Sequence, residues 1–397
     1  MKKTSTPSQG NTEVIINRNI TVNGAGPPLG LLRLCPSIQE LDLSKTLLDS
    51  WGTVAQITNQ LKNLTILNLS ENRLKLTEDI DSEAFKTIEH IILGKLMYSW
   101  SEILKCSELF LNIKALQVQY NKIDIIEAPS EKLFRNLLML DLEGNPVTSW
   151  EEINNLGGLH TLETLNVSCC GLKGVLFPNS TSPLNLFKNL KNLMLTGNEI
   201  DNWSSISELD KLQSLYDLRF KDNPILVKEN VETNHQLITA KIGKLQVLNG
   251  QQVLRDERKG AEIDYLKRFG TTWLALKTED ERKKFNAIHP RYMQLVAKYG
   301  PPEENEVKEM PTSLKSQLIQ IEISSSEKTF SKKVPYNMSV QKLSGLIQRL
   351  FNTGSTIPHL SCIHAERTDG LAVPLEDYLK DLNFYSIENG DKISVNW

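Results

Sequence analysis

Residues 38–250 repeat one spacing of apolar positions. The frame is Leu64-x-x-Leu67-x-Leu69-x-x-Asn72-x-Leu74. It returns at Ile113, Leu116, Val118, Asn121 and Ile123, and again at Leu137, Leu140, Leu142, Asn145 and Val147. Two further copies occupy Leu190, Leu193, Leu195, Asn198 and Ile200, then Leu215, Leu218, Phe220, Asn223 and Ile225. Weaker copies begin at Ile38, Ile88 and Leu162, and a half-copy begins at Leu245. Successive starts lie 26, 24, 25, 24, 25, 28, 25 and 30 residues apart. All but the last fall within the roughly 20–29-residue period of a leucine-rich repeat, so about nine stacked coils are expected.

Each part of the frame has a physical task. The x-Leu-x-Leu segment alternates with a period of two and reads as a short strand whose leucines turn inward. The Asn behind it sits at the turn, where its amide can bond the backbone of neighbouring coils. In the copy starting at Leu162 that place belongs to Cys170, read as a structural substitute. Trp51, Trp100, Trp150 and Trp203 lie 12 or 13 residues after alternate starts, each behind a good helix N-cap: Ser50, Ser99, Ser149 and Asn202. Ser99 with Glu102, and Ser149 with Glu152, also have capping-box spacing. A short outer helix with Trp packed under its first turn is the expectation.

Stacked coils need caps at both ends. Residues 1–13 read as a disordered N-terminus and 14–37 as the N-terminal cap. After the repeats at 38–250, residues 251–300 read as a helical C-terminal cap that opens with a helix over Val253–Phe269. Residues 301–312, PPEENEVKEMPT, are proline-rich and acidic and read as a linker.

Beyond the linker the periodicity changes. Leu314, Leu318, Ile321 and Ile323 run as a strand into the turn Ser324–Lys328, and Phe330–Val334 returns as a second strand. Ser339 caps a helix with the stripe Val340, Leu343, Leu346, Ile347 and Leu350. Strands follow around Leu360–Ala365 and Leu371–Val373, then a turn of helix near Leu379–Phe384 and a closing strand, Lys392–Trp397. This order over 313–397 is that of a ubiquitin-like β-grasp. The fold class is therefore α/β: a leucine-rich-repeat solenoid followed by a small α+β ubiquitin-like domain. The sequence stops at Trp397 without the Gly-Gly that conjugation needs, so a fixed interaction module is expected.

Composition narrows the function. Leucine falls from 44 in residues 1–250 to 15 in the remainder, which supports a boundary near 250. The 397 residues hold 45 basic and 48 acidic side chains for a net charge of −3, leaving no basic excess for nucleic acid. No apolar run reaches the ~20 residues of a membrane span. Five cysteines without framework spacing point to a reducing compartment, and the N-terminus lacks the apolar stretch of a signal peptide; a cytoplasmic location is expected. Nucleotide-binding, nucleophile-elbow and zinc-protease motifs do not occur. His359 and His364 flank Cys362, but a metal site normally wants three or four ligands at set spacings. No metal, no cofactor and no catalysis are expected.

What remains is area. The x positions of neighbouring strands align on the concave side, and the candidate partner-binding residues in chain order are Glu40, Asp42, Lys45, Asn68, Glu71, Gln117, Gln119, Tyr120, Asp141, Glu143, Met194, Arg219, Lys221 and Asp222. The mixture suits a protein partner, with Tyr, Met and Arg as the types that more often carry binding energy.

Three segments are more specific than the repeats. They are Asp264-Tyr265 before Lys267-Arg268-Phe269-Gly270; His289-Pro290-Arg291-Tyr292 with Lys298-Tyr299-Gly300-Pro301-Pro302; and Phe384-Tyr385-Ser386-Ile387-Glu388-Asn389-Gly390-Asp391. With the repeats they make residues 20–397 resemble the tubulin-folding cofactor E family. The resemblance implies capture of α-tubulin, contact with other tubulin-folding cofactors, and assembly or disassembly of the αβ-tubulin heterodimer, in the cytoplasm and at the cytoskeleton. Family members usually begin with a CAP-Gly domain, and no such motif precedes the first repeat here. A naturally short form, an incomplete chain and the cofactor E-like protein all fit that difference. The competing reading is a ubiquitin-pathway adaptor that docks on the proteasome through residues 313–397 while the repeats hold a client.

Overall fold

Two residues after each of the nine repeat starts, a strand begins. In the computed structural model the strands of the first unit are β1 (Glu13–Ile15), β2 (Glu40–Asp42), β3 (Ile66–Asn68), β4 (His90–Ile92), β5 (Ala115–Gln117), β6 (Met139–Asp141), β7 (Thr164–Asn166), β8 (Asn192–Met194), β9 (Asp217–Arg219), β10 (Val247–Leu248) and β11 (Gln251–Gln252). They form one sheet in sequence order, parallel except for the antiparallel β10–β11 pair. The structure describes residues 13–15, 21–22, 24–76, 80, 82–130, 132–178, 184–301, 318–326, 328–354, 356–365, 372–382 and 384–397. The chain divides into two compact units, Met1–Val307 and Lys308–Trp397.

The eight strands β2–β9 turn their central residue inward: Leu41, Leu67, Ile91, Leu116, Leu140, Leu165, Leu193 and Leu218 are at most 3% exposed. The turn Asn bonds as the frame requires. Asn121 Oδ1 accepts from the Leu96 and Tyr98 N–H groups, and its Nδ2 donates to Leu93 and Val118 carbonyls. Asn72, Asn145, Asn198 and Asn223 repeat this between their own coils. Cys170 substitutes by pointing its thiol at the Leu142 and Ser168 carbonyls, and burial pushes that thiol up to about 12, so it is inert.

The short helix α1 (Gly30–Leu34) precedes the repeats, and the outer helices α2 (Trp51–Thr58), α3 (Trp100–Ser107), α4 (Trp150–Asn154) and α5 (Trp203–Leu209) each begin at the expected Trp. Trp51 is fully buried and packs edge-on against Phe85 and Phe110, while its indole N–H donates to Tyr98 Oη. Ser99 and Glu102 form the capping box. Ser149 does not form one: its side chain accepts from the Glu151 N–H, and the Glu152 carboxylate accepts instead from the Ile126 N–H of the preceding coil. A bond between coils outcompetes the local one.

Both ends of the array differ from expectation. Glu13, assigned to a disordered N-terminus ending at 13, lies in β1, which adds a parallel strand beside β2; an edge strand leaves unpaired N–H and C=O groups that another strand satisfies. At the other end Asn249 and Gly250, both at positive φ, turn β10 back onto β11, the conformation Asn-Gly favours. Val253 is therefore outside any helix, and the capping helix is α7 (Arg255–Ala275), following α6 (Val231–Lys241) and preceding α8 (Glu279–Ile288) and α9 (Tyr292–Tyr299). These four helices share a second core containing Leu237, Tyr265, Phe285, Tyr292 and Leu295.

The second unit holds β12 (Leu318–Ser324), β13 (Thr329–Pro335), α10 (Val340–Phe351), β14 (His359–Ile363), β15 (Ala372–Pro374) and β16 (Lys392–Asn396). Its sheet order is β13-β12-β16-β14-β15, with β12 and β16 parallel. Val340, Leu343 and Ile347 of α10 pack with Ile321, Ile323, Ile393 and Val395. This is the β-grasp. The helix expected near Leu379–Phe384 is a run of turns instead, with Asp377 Oδ1 accepting from the Leu379 N–H and Asp381 Oδ1 from the Phe384 N–H. Leu314, Leu371 and the linker after Pro301 lie outside the described residues.

Candidate functional site

The concave face is built in rows because every coil presents the same template position at the same height. The residue seven places after each start has positive φ in eight successive coils: Lys45, Glu71, Lys95, Tyr120, Gly144, Cys169, Gly197 and Asp222. The chain leaves the sheet through this left-handed step, so these side chains project along the rim of the face. Only two of them are glycine, the residue that conformation favours.

Four of the expected residues join in one linked row. Lys45 Nζ lies 3.2 Å from Glu71 Oε2, and Lys95 Nζ lies 3.6 Å from Glu71 Oε1. The same Lys95 ammonium stands 5.7 Å from the Tyr120 ring centre. Tyr120 donates its hydroxyl to Glu143 Oε1 at 2.7 Å, and Asn166 Nδ2 donates to Glu143 Oε2 at 3.1 Å. The hydrogen bond to Glu143 is the main reason the Tyr120 hydroxyl is pushed up to about 12. Tyr120 remains 45% exposed and its ring covers Gly144, where an added Cβ would stand 2.3 Å from it. Six side chains across six coils are thus held in register before any partner arrives, which lowers the entropy lost on binding. Lys95 and Asn166 were not among the sequence candidates; their fixed template offsets were the signal that could have found them.

Other candidates serve the fold. Asp42, Asn68 and Asp141 each accept, through Oδ1, the backbone N–H two residues on, at 2.8, 3.0 and 3.0 Å. Asp141 is also only 8% exposed, and burial raises its carboxyl above the ordinary range. Asp141 is therefore corrected from an open-face residue to a turn anchor. Glu40, Gln117, Gln119 and Met194 are half-buried on the face. At the C-terminal end Arg219, Lys221 and Asp222 are exposed. Arg219 Nε lies 3.5 Å from Asp217 Oδ1, and its guanidinium sits over Gly250, whose missing side chain makes the room.

Among the described residues, no helix is long and apolar enough to cross a membrane. No protein-family model matches the chain. The chain is 37% identical over 396 residues to tubulin-specific chaperone E of Bos taurus, covering 96% of this chain and 75% of that protein. It is 33% identical to tubulin-specific chaperone E of Drosophila melanogaster, covering 92% and 71%. A solution structure of the C-terminal ubiquitin-like domain of mouse tubulin-specific chaperone E matches 22% of this chain and 94% of that one at 33% identity, with a TM-score of 0.20.

Proposed function

Because the chain belongs to the tubulin-specific chaperone E family, we propose that it is a tubulin-folding cofactor whose concave repeat face binds α-tubulin. In this reading it takes part in assembly or disassembly of the αβ-tubulin heterodimer in the cytoplasm and at the cytoskeleton, alongside other tubulin-folding cofactors. It acts by binding and needs no active site of its own. The observation that carries the reading is identity sustained over 96% of the chain, repeats and β-grasp together. The preorganised row from Lys45 to Asn166 supports the choice of face. The outer face of the β-grasp sheet presents Gln320, Glu322, Ser361, Lys392 and Ser394 beside half-buried Leu318 and Ile363. This mostly polar set has few of the apolar anchors that dominate binding energy, which favours the repeat face over the ubiquitin-pathway alternative.

Pull-down from cytosol with the full chain tests this. α-Tubulin should be enriched over an unrelated repeat protein, and reversing charge with Arg219→Glu and Lys221→Glu should reduce it. Undiminished capture would remove that end of the sheet from the interface, and absence of enrichment would sink the proposal.

A further inference from the structure

The β-grasp unit brings Cys362, His364 and Asp391 to one point. Alternation along β14 puts Cys362 and His364 on the same side, and the turn ahead of β16 delivers Asp391 to them. Cys362 Sγ lies 3.9 Å from His364 Nδ1 and 3.9 Å from Asp391 Oδ2, and His364 Nδ1 lies 2.9 Å from Asp391 Oδ2. The sequence alone predicts no metal here; His359, which flanks Cys362 in the sequence, is exposed at the other end of β14, and the third ligand atom is supplied by Asp391.

We propose that Cys362, His364 and Asp391 form a binding site for a thiophilic divalent cation of the Zn²⁺ type. The separations fit such an ion. Zinc binds sulfur at about 2.3 Å and nitrogen or oxygen at about 2.0–2.2 Å. Each observed separation is shorter than the two corresponding bonds laid end to end, as one ion touching all three atoms requires. The donor set of thiolate, imidazole and carboxylate selects zinc-like ions over Mg²⁺ or Ca²⁺, which take oxygen.

A supporting shell is already in place. Asp391 Oδ1 accepts the Ala365 N–H at 2.8 Å, and Oδ2 accepts the Glu388 N–H at 2.9 Å, fixing the carboxylate as ligand-orienting bonds do. Cys362 is fully buried and Asp391 nearly so, while the His364 side chain is 16% exposed. A fourth ligand, water or a partner's side chain, enters from the histidine side. Uptake forms the sulfur–metal bond and releases the thiol proton to solvent. No electron changes hands.

Co²⁺ added to the full chain is the probe. One equivalent should produce a sulfur-to-cobalt charge-transfer band that excess Zn²⁺ displaces and Mg²⁺ does not. Cys362→Ser should abolish the band, whereas Cys169→Ser, at an exposed thiol outside the cluster, should leave it. His364→Gln should weaken cobalt affinity by about tenfold or more. As a measurement on the unaltered chain, Zn²⁺ should shift the amide resonances of Ile363, Ala365 and Asp391. A folded chain without the band and without those shifts overturns the proposal, as does a band that survives Cys362→Ser.

Discussion

Arg291 Nη2 stands 2.9 Å from Oε1 of Glu262, a carboxylate only 1% exposed. Lys298 Nζ and Tyr299 Oη donate to its other oxygen at 2.7 and 2.8 Å, and Arg291 also donates to the Ala240 carbonyl. Burial works against the charge on Glu262, but these hydrogen bonds more than offset it and hold the carboxyl below its ordinary range. Removing Arg291 leaves the buried carboxylate with Lys298 and Tyr299 alone, at a cost that approaches but stays below the roughly 3–5 kcal/mol of a fully broken buried pair. Arg291→Met should lower the urea midpoint of the repeat unit accordingly. The double variant Arg291→Met with Glu262→Gln should cost less than the two single changes added together.

The same cap should make stability depend on pH. Burial, helped by nearby Lys241, lowers His289 to about 4, so the ring is neutral where its Nδ1 shares a 2.6 Å hydrogen bond with the Tyr265 hydroxyl. Burial lowers Lys241 to about 8. In both cases the unfolded state binds the proton more readily, so stability rises with pH through each window. The windows run from about 4 to 6.5 for the histidine and from about 8 to 10.5 for the lysine, each worth on the order of 3 kcal/mol. The acid rise should appear directly in the denaturation midpoints. In the alkaline window buried thiols such as Cys170, pushed up to about 12, pull the other way, so the share of Lys241 is read as a difference from a variant. The midpoint of the unaltered chain relative to Lys241→Met should rise from about pH 8 to 10.5, and Lys241→Met should narrow the acid window from below. A difference between the two chains that stays constant above pH 8 would count against the lowered value of Lys241.

The repeat strands and the four helix-starting tryptophans were legible because one coil's apolar spacing is a local signal copied nine times. The cap was less legible. His289 and Arg291 look like surface residues in the sequence, and only the return of α9 against α6 and α7 buries their partners. The rim row was hidden for a different reason. Lys45, Glu71, Lys95 and Tyr120 take a positive φ that composition assigns to glycine, since inter-coil bonds such as Lys45 N–H to the Ser70 carbonyl enforce it. Asp391 was hidden by distance, standing 27 residues from His364.

The asparagine ladder gives a graded test. Asn121 makes four bonds to backbone inside the array, two accepted and two donated. Asn145 makes three. Alanine at either site leaves buried backbone groups unpaired, at about 1–3 kcal/mol for each group that finds no new partner. Asn121→Ala should therefore cost more than Asn145→Ala, about 2–4 kcal/mol against somewhat less. Equal losses in calorimetry or urea unfolding would show that water enters the gap and replaces the amide.

Gly144 links the fold to the proposed interface. It sits in the left-handed step at φ 68°, and the Tyr120 ring occupies the space where a side chain would begin. An alanine there meets two penalties: about 1–2 kcal/mol for the conformation, and a contact that only movement of the ring can relieve. Moving the ring breaks the 2.7 Å bond from Tyr120 to Glu143 and lifts the ring away from Lys95, so the centre of the preorganised row comes apart while Leu140 and Leu142 beneath stay packed. Gly144→Ala should then weaken α-tubulin capture more than its loss of stability explains. Tyr120→Phe supplies the control, because it removes the hydroxyl and keeps the ring over Gly144. If the row acts through its order, capture should fall in the sequence unaltered chain, Tyr120→Phe, Gly144→Ala. If Gly144→Ala captures tubulin fully while remaining folded, the binding surface lies elsewhere on the array.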